Sequence, residues 1–348
     1  MEKEKYIYCG TAFINQKKIF IYYHKDLKEI ELFERKDGIF IPAYKEILNE
    51  QSSLFSNIEY LFDILKECFY YRKVKRSRFT SSFTENELKE LHSTVEKNGN
   101  LKNEEKNILH NLISLEKGKA GYIDILKERL LTVTIERKSM EDEDGCYSSE
   151  ENIVTIDSEL LCDRYENILR HEFCHLLQNQ TTNYTPILYS WFKEGLTEMI
   201  TREYEPYFQE PKEDDYDFLV IVVKILFELF PNNTFFQSLQ LDRYEDIYHT
   251  LRSKMSEEVF YTLFVKLSFY LNSGWFEDLD YFSLLTDVSV ILVDLSRNET
   301  KEIRRKIKNY IREALDNNMV YRSNYIVGPK ESFLYHKQKK IKVKDYKK

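Results

Sequence analysis

Two histidines four positions apart flank a glutamate in the run His171-Glu172-Phe173-Cys174-His175, and Glu194 follows after eighteen intervening residues. Four residues are just over one helical turn, so on a helix both imidazoles project from one side and can bind one metal ion. Glu172 then lies about 60 degrees around the helix from His175, close enough to act on a water held by that metal. Two imidazoles leave a tetrahedral zinc one protein ligand short, and Glu194 is placed to supply it. The chemistry of such a set is hydrolysis by an activated water. A structural zinc fits less well, because structural sites close the fourth position with Cys or His and gain nothing from a free Glu172. The bland alternative is a solvated helix face with two unrelated histidines. The chain has only seven histidines in 348 residues. At that composition a chance His-Glu-x-x-His is expected roughly 0.01 times, which favours the metal site.

The surrounding residues supply the elements that must position this set. Asp163 is expected to cap a helix, with Glu166 three positions later completing a capping-box-like pair. On that helix Tyr165, Leu169, Phe173 and Leu176 share a core face, while Ile168, His171, Glu172, His175 and Asn179 share a cleft face. Cys174 lies roughly 60 to 100 degrees around the helix from the histidines, on the side away from Glu172, and is not read as a ligand. Asn152 to Ile156 is short and β-branched and reads as a strand leading into the helix. Ser190 to Met199 reads as a second helix, with Glu194 and Glu198 on one face. Glu198 is too far along to share the metal, and is placed to accept a hydrogen bond from the outer nitrogen of a ligating histidine. Gly195 is unfavourable in a helix interior, and its use would be to let this helix approach the first one closely.

The His171-Glu172-x-x-His175 run, the eighteen-residue gap and Glu194-Gly195 resemble the gluzincin superfamily of zinc metallopeptidases. The gap and the Trp191-Phe192-Lys193-Glu194-Gly195 run are most similar to the aminopeptidase N type. Thermolysin-type enzymes have one more residue in the gap, and they too place an acidic residue four after the third ligand, as Glu198 is here. The resemblance covers Asn152 to Met199. It implies a zincin-like core, Zn2+ held by His171, His175 and Glu194, Glu172 as general base, and a peptide or protein substrate. The family's amine-binding Gly-x-Met-Glu-Asn segment has only a partial echo in Ser139-Met140-Glu141-Asp142, which is more simply a solvated acidic loop. The family also uses a downstream Tyr or His to stabilise the oxyanion. Tyr184, Tyr189, Tyr248, His249 and Tyr261 all lie at suitable distances, and among 26 tyrosines spacing selects none.

The rest of the chain bounds the setting. A net charge of −8 gives no nucleic-acid signature. Cys9, Cys68, Cys146, Cys162 and Cys174 are scattered, odd in number and without a CxxC pair, as expected of reduced thiols in a cytoplasmic protein. Met1 to Lys5 lacks an apolar signal core, and no apolar run is long enough to span a bilayer, so no membrane partner is expected. Export by a signal-independent route stays open.

The expected fold class is α+β: a zincin-like metallopeptidase core, a largely helical C-terminal part, and a β-rich then helical N-terminal part. Residues 1–45 are expected to form a β-rich segment, an antiparallel meander with a turn at Lys36-Asp37-Gly38. Residues 46–130 are expected to be helical, from the spacing of Ile47, Leu54, Ile58, Leu61 and Leu65 and a capping box at Thr84-x-x-Glu87. The basic run Arg72 to Arg78 reads as a solvated loop. Residues 131–328 would hold the catalytic region, with a strand at Leu131 to Glu136 and helices at Phe218–Leu229, Ser256–Leu271 and Glu302–Leu315. Residues 329–348 read as a basic tail. The function expected is a zinc-dependent metallopeptidase. Two rivals remain at this level: a catalytically silent zincin-like sensor or binding protein, and a toxin-like or mobile-element protease with one protein target.

Overall fold

The computed structural model describes residues 5–14, 17–24, 26–27, 29–36, 39–42, 83–114, 121–140, 143–160, 162–178, 187–203, 216–231, 234–271 and 281–312. It is a mixed α+β chain, mostly helical, with two small sheets. Strands β1 (Tyr6–Ile14), β2 (Lys17–His24), β3 (Glu29–Lys36) and β4 (Ile39–Pro42) form an antiparallel sheet in sequence order, the meander expected from the alternating aromatic and β-branched runs. Phe20 lies opposite Phe33 in the register. Phe20, Tyr22, Phe33 and Phe40 interlock edge-to-face, with Phe20 and Phe40 centroids 5.1 Å apart and Tyr22 and Phe33 5.5 Å apart. Lys36 pairs with Ile39 at the end of the last hairpin; residues 37 and 38 of the expected turn lie outside the described residues. The expected helix of residues 47–65, the basic run Arg72 to Arg78 and the tail 329–348 also lie outside them.

Helices α1 (Glu85–Lys97), α2 (Asn103–Ser114) and α3 (Ile123–Thr132) follow. Thr84 caps α1 in the expected reciprocal box: its hydroxyl accepts from Glu87 N–H while the Glu87 carboxylate accepts from Thr84 N–H. Where α1 and α2 pack together, His92 Nδ1 and His110 Nδ1 are 2.8 Å apart. Helix α3 corrects the expected strand at Leu131 to Glu136. The helix runs through Thr132, and strand β5 is Thr134–Lys138. Tertiary bonds override the local β-propensity here. Asn98 donates to the carbonyls of Leu130 and Val133, and Asn152 donates to the Arg129 carbonyl and Thr132 Oγ1, so carbonyls of the last helical turn are taken up by side chains distant in sequence. Asn152 itself sits at φ 55°, a left-handed position that asparagine tolerates.

The second sheet has order β5-β7-β6, with β6 Gly145–Ser148 and β7 Ile153–Asp157. Strand β7 is central, parallel to β5 and antiparallel to β6. Val154, Thr155 and Ile156 are all buried, as suits a strand covered on both faces. Strand β6 falls just after the acidic run, in the short, non-β-branched stretch Gly145-Cys146-Tyr147-Ser148, and no sequence pattern announces it. Gly145 is required there: a Cβ would lie 2.6 Å from Ile168 Cγ2 of the next helix.

Helices α4 (Cys162–Leu177), α5 (Ile187–Thr201), α6 (Asp217–Leu229), α7 (Thr234–Gln240), α8 (Tyr244–Arg252), α9 (Glu257–Leu271) and α10 (Tyr281–Leu295) complete the named elements, and residues 301–312 are helical. Asp163 lies inside the first turn of α4, not at its cap, and the Glu166 carboxylate pairs with Arg170. Leu169, Phe173 and Leu176 of α4 are fully buried. Helix α4 packs on β6, β7, α2 and α5, while α5 packs on α6 and α9. Gly195 serves the second of these contacts and not the expected approach to α4. A Cβ at Gly195 would meet Leu219 Cβ at 3.0 Å, Leu219 O at 3.0 Å and Leu219 C at 3.1 Å, all on α6. No helix among the described residues is long and apolar enough to cross a membrane.

Candidate metal centre

Helix α4 carries His171, Glu172 and His175; helix α5 carries Glu194 and Glu198. The i, i+4 spacing on α4 brings the two imidazoles together, with ring centroids 4.7 Å apart. The packing of α5 on α4 brings Glu194 to both. His171 Nε2 and His175 Nε2 are 3.1 Å apart, and Glu194 Oε2 lies 3.2 Å from the first and 3.3 Å from the second. Among the described residues His171, His175 and Glu194 form a group whose ligand atoms all lie within 4.8 Å of one another and could hold a metal ion. The triangle can be tested against zinc directly. Three corners of a tetrahedron about 3.2 Å apart correspond to bonds of 3.2 divided by 1.63, about 2.0 Å, the length of zinc–imidazole and zinc–carboxylate bonds. The donor set therefore fits a tetrahedral zinc with one corner not filled by protein.

Each imidazole is oriented from behind. His171 Nδ1 is 3.1 Å from Glu198 Oε2, the contact expected from the position of Glu198. His175 Nδ1 is 3.4 Å from Gln178 Oε1, and Thr197 Oγ1 lies 3.0 Å from the other amide atom of Gln178. An acceptor oxygen at each Nδ1 favours, in the neutral ring, the tautomer with its proton there, which would leave the Nε2 lone pairs for a metal in the triangle. Gln178 and Thr197 were not anticipated, although each sits three residues after a proposed ligand, Gln178 just past the end of α4 and Thr197 within α5. Tyr216 was also missed. Its ring stacks on His171 at 5.7 Å with 20° between the planes, and nothing in its own neighbourhood signals this.

The site is buried and acidic. Burial would lower the pKa of His171, but its hydrogen bonds to Glu194 and Glu198 outweigh this and hold it well above the ordinary value. That field favours a cation on this face. Burial pushes the His175 imidazole down to about 4. Burial also opposes charge on Glu194, yet His175 and His171 hold its carboxyl well below the ordinary range. Glu172 touches none of these atoms closely enough to hydrogen-bond, and burial pushes its carboxyl up to about 7. Lys193 is buried beside it, and burial lowers its ammonium against the pull of Glu194, Asp242 and Glu172. Cys174 is a buried free thiol whose pKa burial raises, as suits a residue outside the ligand set.

Two of the oxyanion candidates pack among other aromatic side chains. Tyr189 packs in the aromatic core against Tyr244 at 5.1 Å and Phe264 at 5.5 Å. Tyr248 is buried 5.0 Å from Phe260 and 5.1 Å from His249. Tyr184 and the side chain of Tyr261 lie outside the described residues. In the partial amine-binding echo, Met140 N–H donates to Asp157 Oδ1, and residues 141 and 142 lie outside the described residues. No known family model matches the chain, and no similar chain is found among curated proteins or solved structures.

Proposed function

We propose that this chain is a zinc-dependent metallopeptidase with a zincin-like core, using His171, His175 and Glu194 as ligands and Glu172 as general base. The observation that carries the reading is the triangle of Nε2, Nε2 and Oε2 atoms, whose edges match three corners of a zinc tetrahedron. A bound zinc would lower the pKa of a water and polarise a carbonyl oxygen. The chain's own residues do the rest. Glu198 and Gln178 fix the two imidazoles with their lone pairs inward. Glu172, one residue from His171 and buried, is free of hydrogen-bonded partners that would hold its proton inventory fixed. Its carboxyl, poised near neutrality by burial, suits a base that accepts a proton from water and passes it to the leaving amine. The substrate on this reading is a peptide or protein.

Metal analysis of the purified chain tests the reading. It should contain about one zinc per chain, and His171→Ala or His175→Ala should lose it. Full zinc retention when both histidines are replaced would remove the basis of the proposal. Digestion of a mixed peptide library then tests turnover: normal zinc with no cleavage of any peptide would favour a silent binding protein.

A further inference from the structure

Behind His171 the polar contacts do not stop at Glu198. Glu198 Oε2 faces His171 Nδ1, and its other oxygen, Oε1, accepts from Arg202 Nε at 2.7 Å. Arg202 Nη1 in turn donates to Asp217 Oδ1 at 2.5 Å. Arg202 follows the last residue of α5, four positions after Glu198, and Asp217 is the first residue of α6. The chain of contacts thus runs from a proposed metal ligand through α5 to the start of α6. Tyr216, the neighbour of Asp217, stacks on the same imidazole. The first turn of α6 therefore reaches His171 by two routes, one aromatic and one ionic.

We propose that Arg202 is a positioning residue for the metal centre, acting through Glu198 and itself held by Asp217. The inference rests on the zinc reading above. A guanidinium is planar, permanently charged and unable to accept a hydrogen bond. With Nε committed to Glu198 and Nη1 to Asp217, its plane is set, and so is the direction of the Glu198 carboxylate. Oε1 is then occupied by a donor, and Oε2 is left as an acceptor toward Nδ1 of His171. A neutral imidazole, the form that binds a metal, presents a lone pair at Nε2 when it donates from Nδ1, and Nε2 is the atom facing His175 and Glu194. Without Arg202 the buried Glu198 would lose its anchor, and His171 its fixed orientation and tautomer. The two ligating histidines differ in this respect. His175 leans on the neutral amide of Gln178, while His171 leans on a charged relay three side chains deep, Glu198, Arg202 and Asp217.

An ion pair that only joined α5 to α6 would look the same in outline, so the test separates the two roles. Zinc dissociation constants of the full chain are measured by competition with a chromophoric chelator, for the parent, Arg202→Met, Glu198→Ala and the double variant. Arg202→Met should weaken zinc by about 10-fold, the lower range for an outer partner of a ligand. The double variant should bind no more weakly than Glu198→Ala alone, because Arg202 acts only through that carboxylate. Asp217→Asn should weaken zinc in the same direction and to a smaller extent, and a cycle built on it serves if Arg202→Met does not fold. Parental zinc affinity in both Arg202→Met and Asp217→Asn would overturn the inference while leaving the zinc reading intact. Losses that multiply in the double variant would overturn it too, reducing Arg202 to a structural link. A parent that binds no zinc would overturn the zinc reading and this inference with it.

Discussion

Gly195→Ala sets a local preference against a packing constraint, and the distances decide between them. Alanine is favoured over glycine in a helix interior by about 1 kcal/mol. Taken alone, that would stabilise α5. The added Cβ would, however, sit 3.0 to 3.1 Å from three Leu219 atoms, where ordinary contact begins at 3.4 Å. Two of those atoms, the carbonyl carbon and oxygen, belong to the backbone of α6. No rotamer change removes them, so α5 and α6 must separate by roughly 0.4 Å, and overpacking of this kind costs about 1–3 kcal/mol. The expected net effect is a loss of about 1 kcal/mol, read as a thermal midpoint lower by about 2 °C in a chain of this size. Leu219→Ala should not restore it, because alanine keeps the Cβ and the backbone carbonyl, so all three contacts remain. Zinc stoichiometry should stay parental, since none of the three contacts belongs to α4. A raised midpoint in Gly195→Ala would refute the reasoning, and a loss of zinc without a loss of stability would return the glycine to the role expected from the sequence.

Three further outcomes are expected. Glu172→Gln keeps size and removes the base; zinc content and thermal midpoint should stay near parental values while hydrolysis of a mixed peptide library falls by at least about 100-fold, and an active variant would refute the proposed mechanism. Glu198→Ala should weaken zinc by about 10–100-fold without abolishing binding, and overlaying zinc titrations would reduce Glu198 to a bystander. Burial, and secondarily the charge of His110, lower the pKa of His92. Above about 6.5 the imidazole is neutral both folded and unfolded; below it the unfolded chain takes up the proton first, so stability falls as the pH drops toward the folded value. The parent should therefore lose thermal stability relative to His92→Gln between pH 8 and pH 5, and parallel curves would exclude the effect.

The candidate site was legible in the sequence because it obeys local rules. His171, Glu172 and His175 need only the helical period to converge, and Glu198 follows from Glu194 by the same period. The meander of β1 to β4 and the Thr84–Glu87 box are also local, and the alternation of residues and the box spacing announce them. What escaped is set by contacts distant in sequence. Gly195 reads as a helix defect until Leu219 of α6 is beside it. Leu131 and Thr132 look β-prone until Asn98, some thirty residues earlier, and Asn152, some twenty later, take up the carbonyls that end α3. Tyr216 and Asp217 reach the site only because α6 returns along α5, and no spacing rule links them to His171.

The three donor atoms come from two consecutive helices, two from α4 and one from α5. Any ion held there is a cross-brace between those helices as well as a reagent. Its bracing strength is then set by supply. By mass action a ligand at one hundred times its dissociation constant adds about 2.7 kcal/mol to the folded state, and one far below that constant adds nothing. The unfolding midpoint of this chain should accordingly climb with free zinc in the surrounding buffer, so that its lifetime against proteolysis becomes a readout of metal availability.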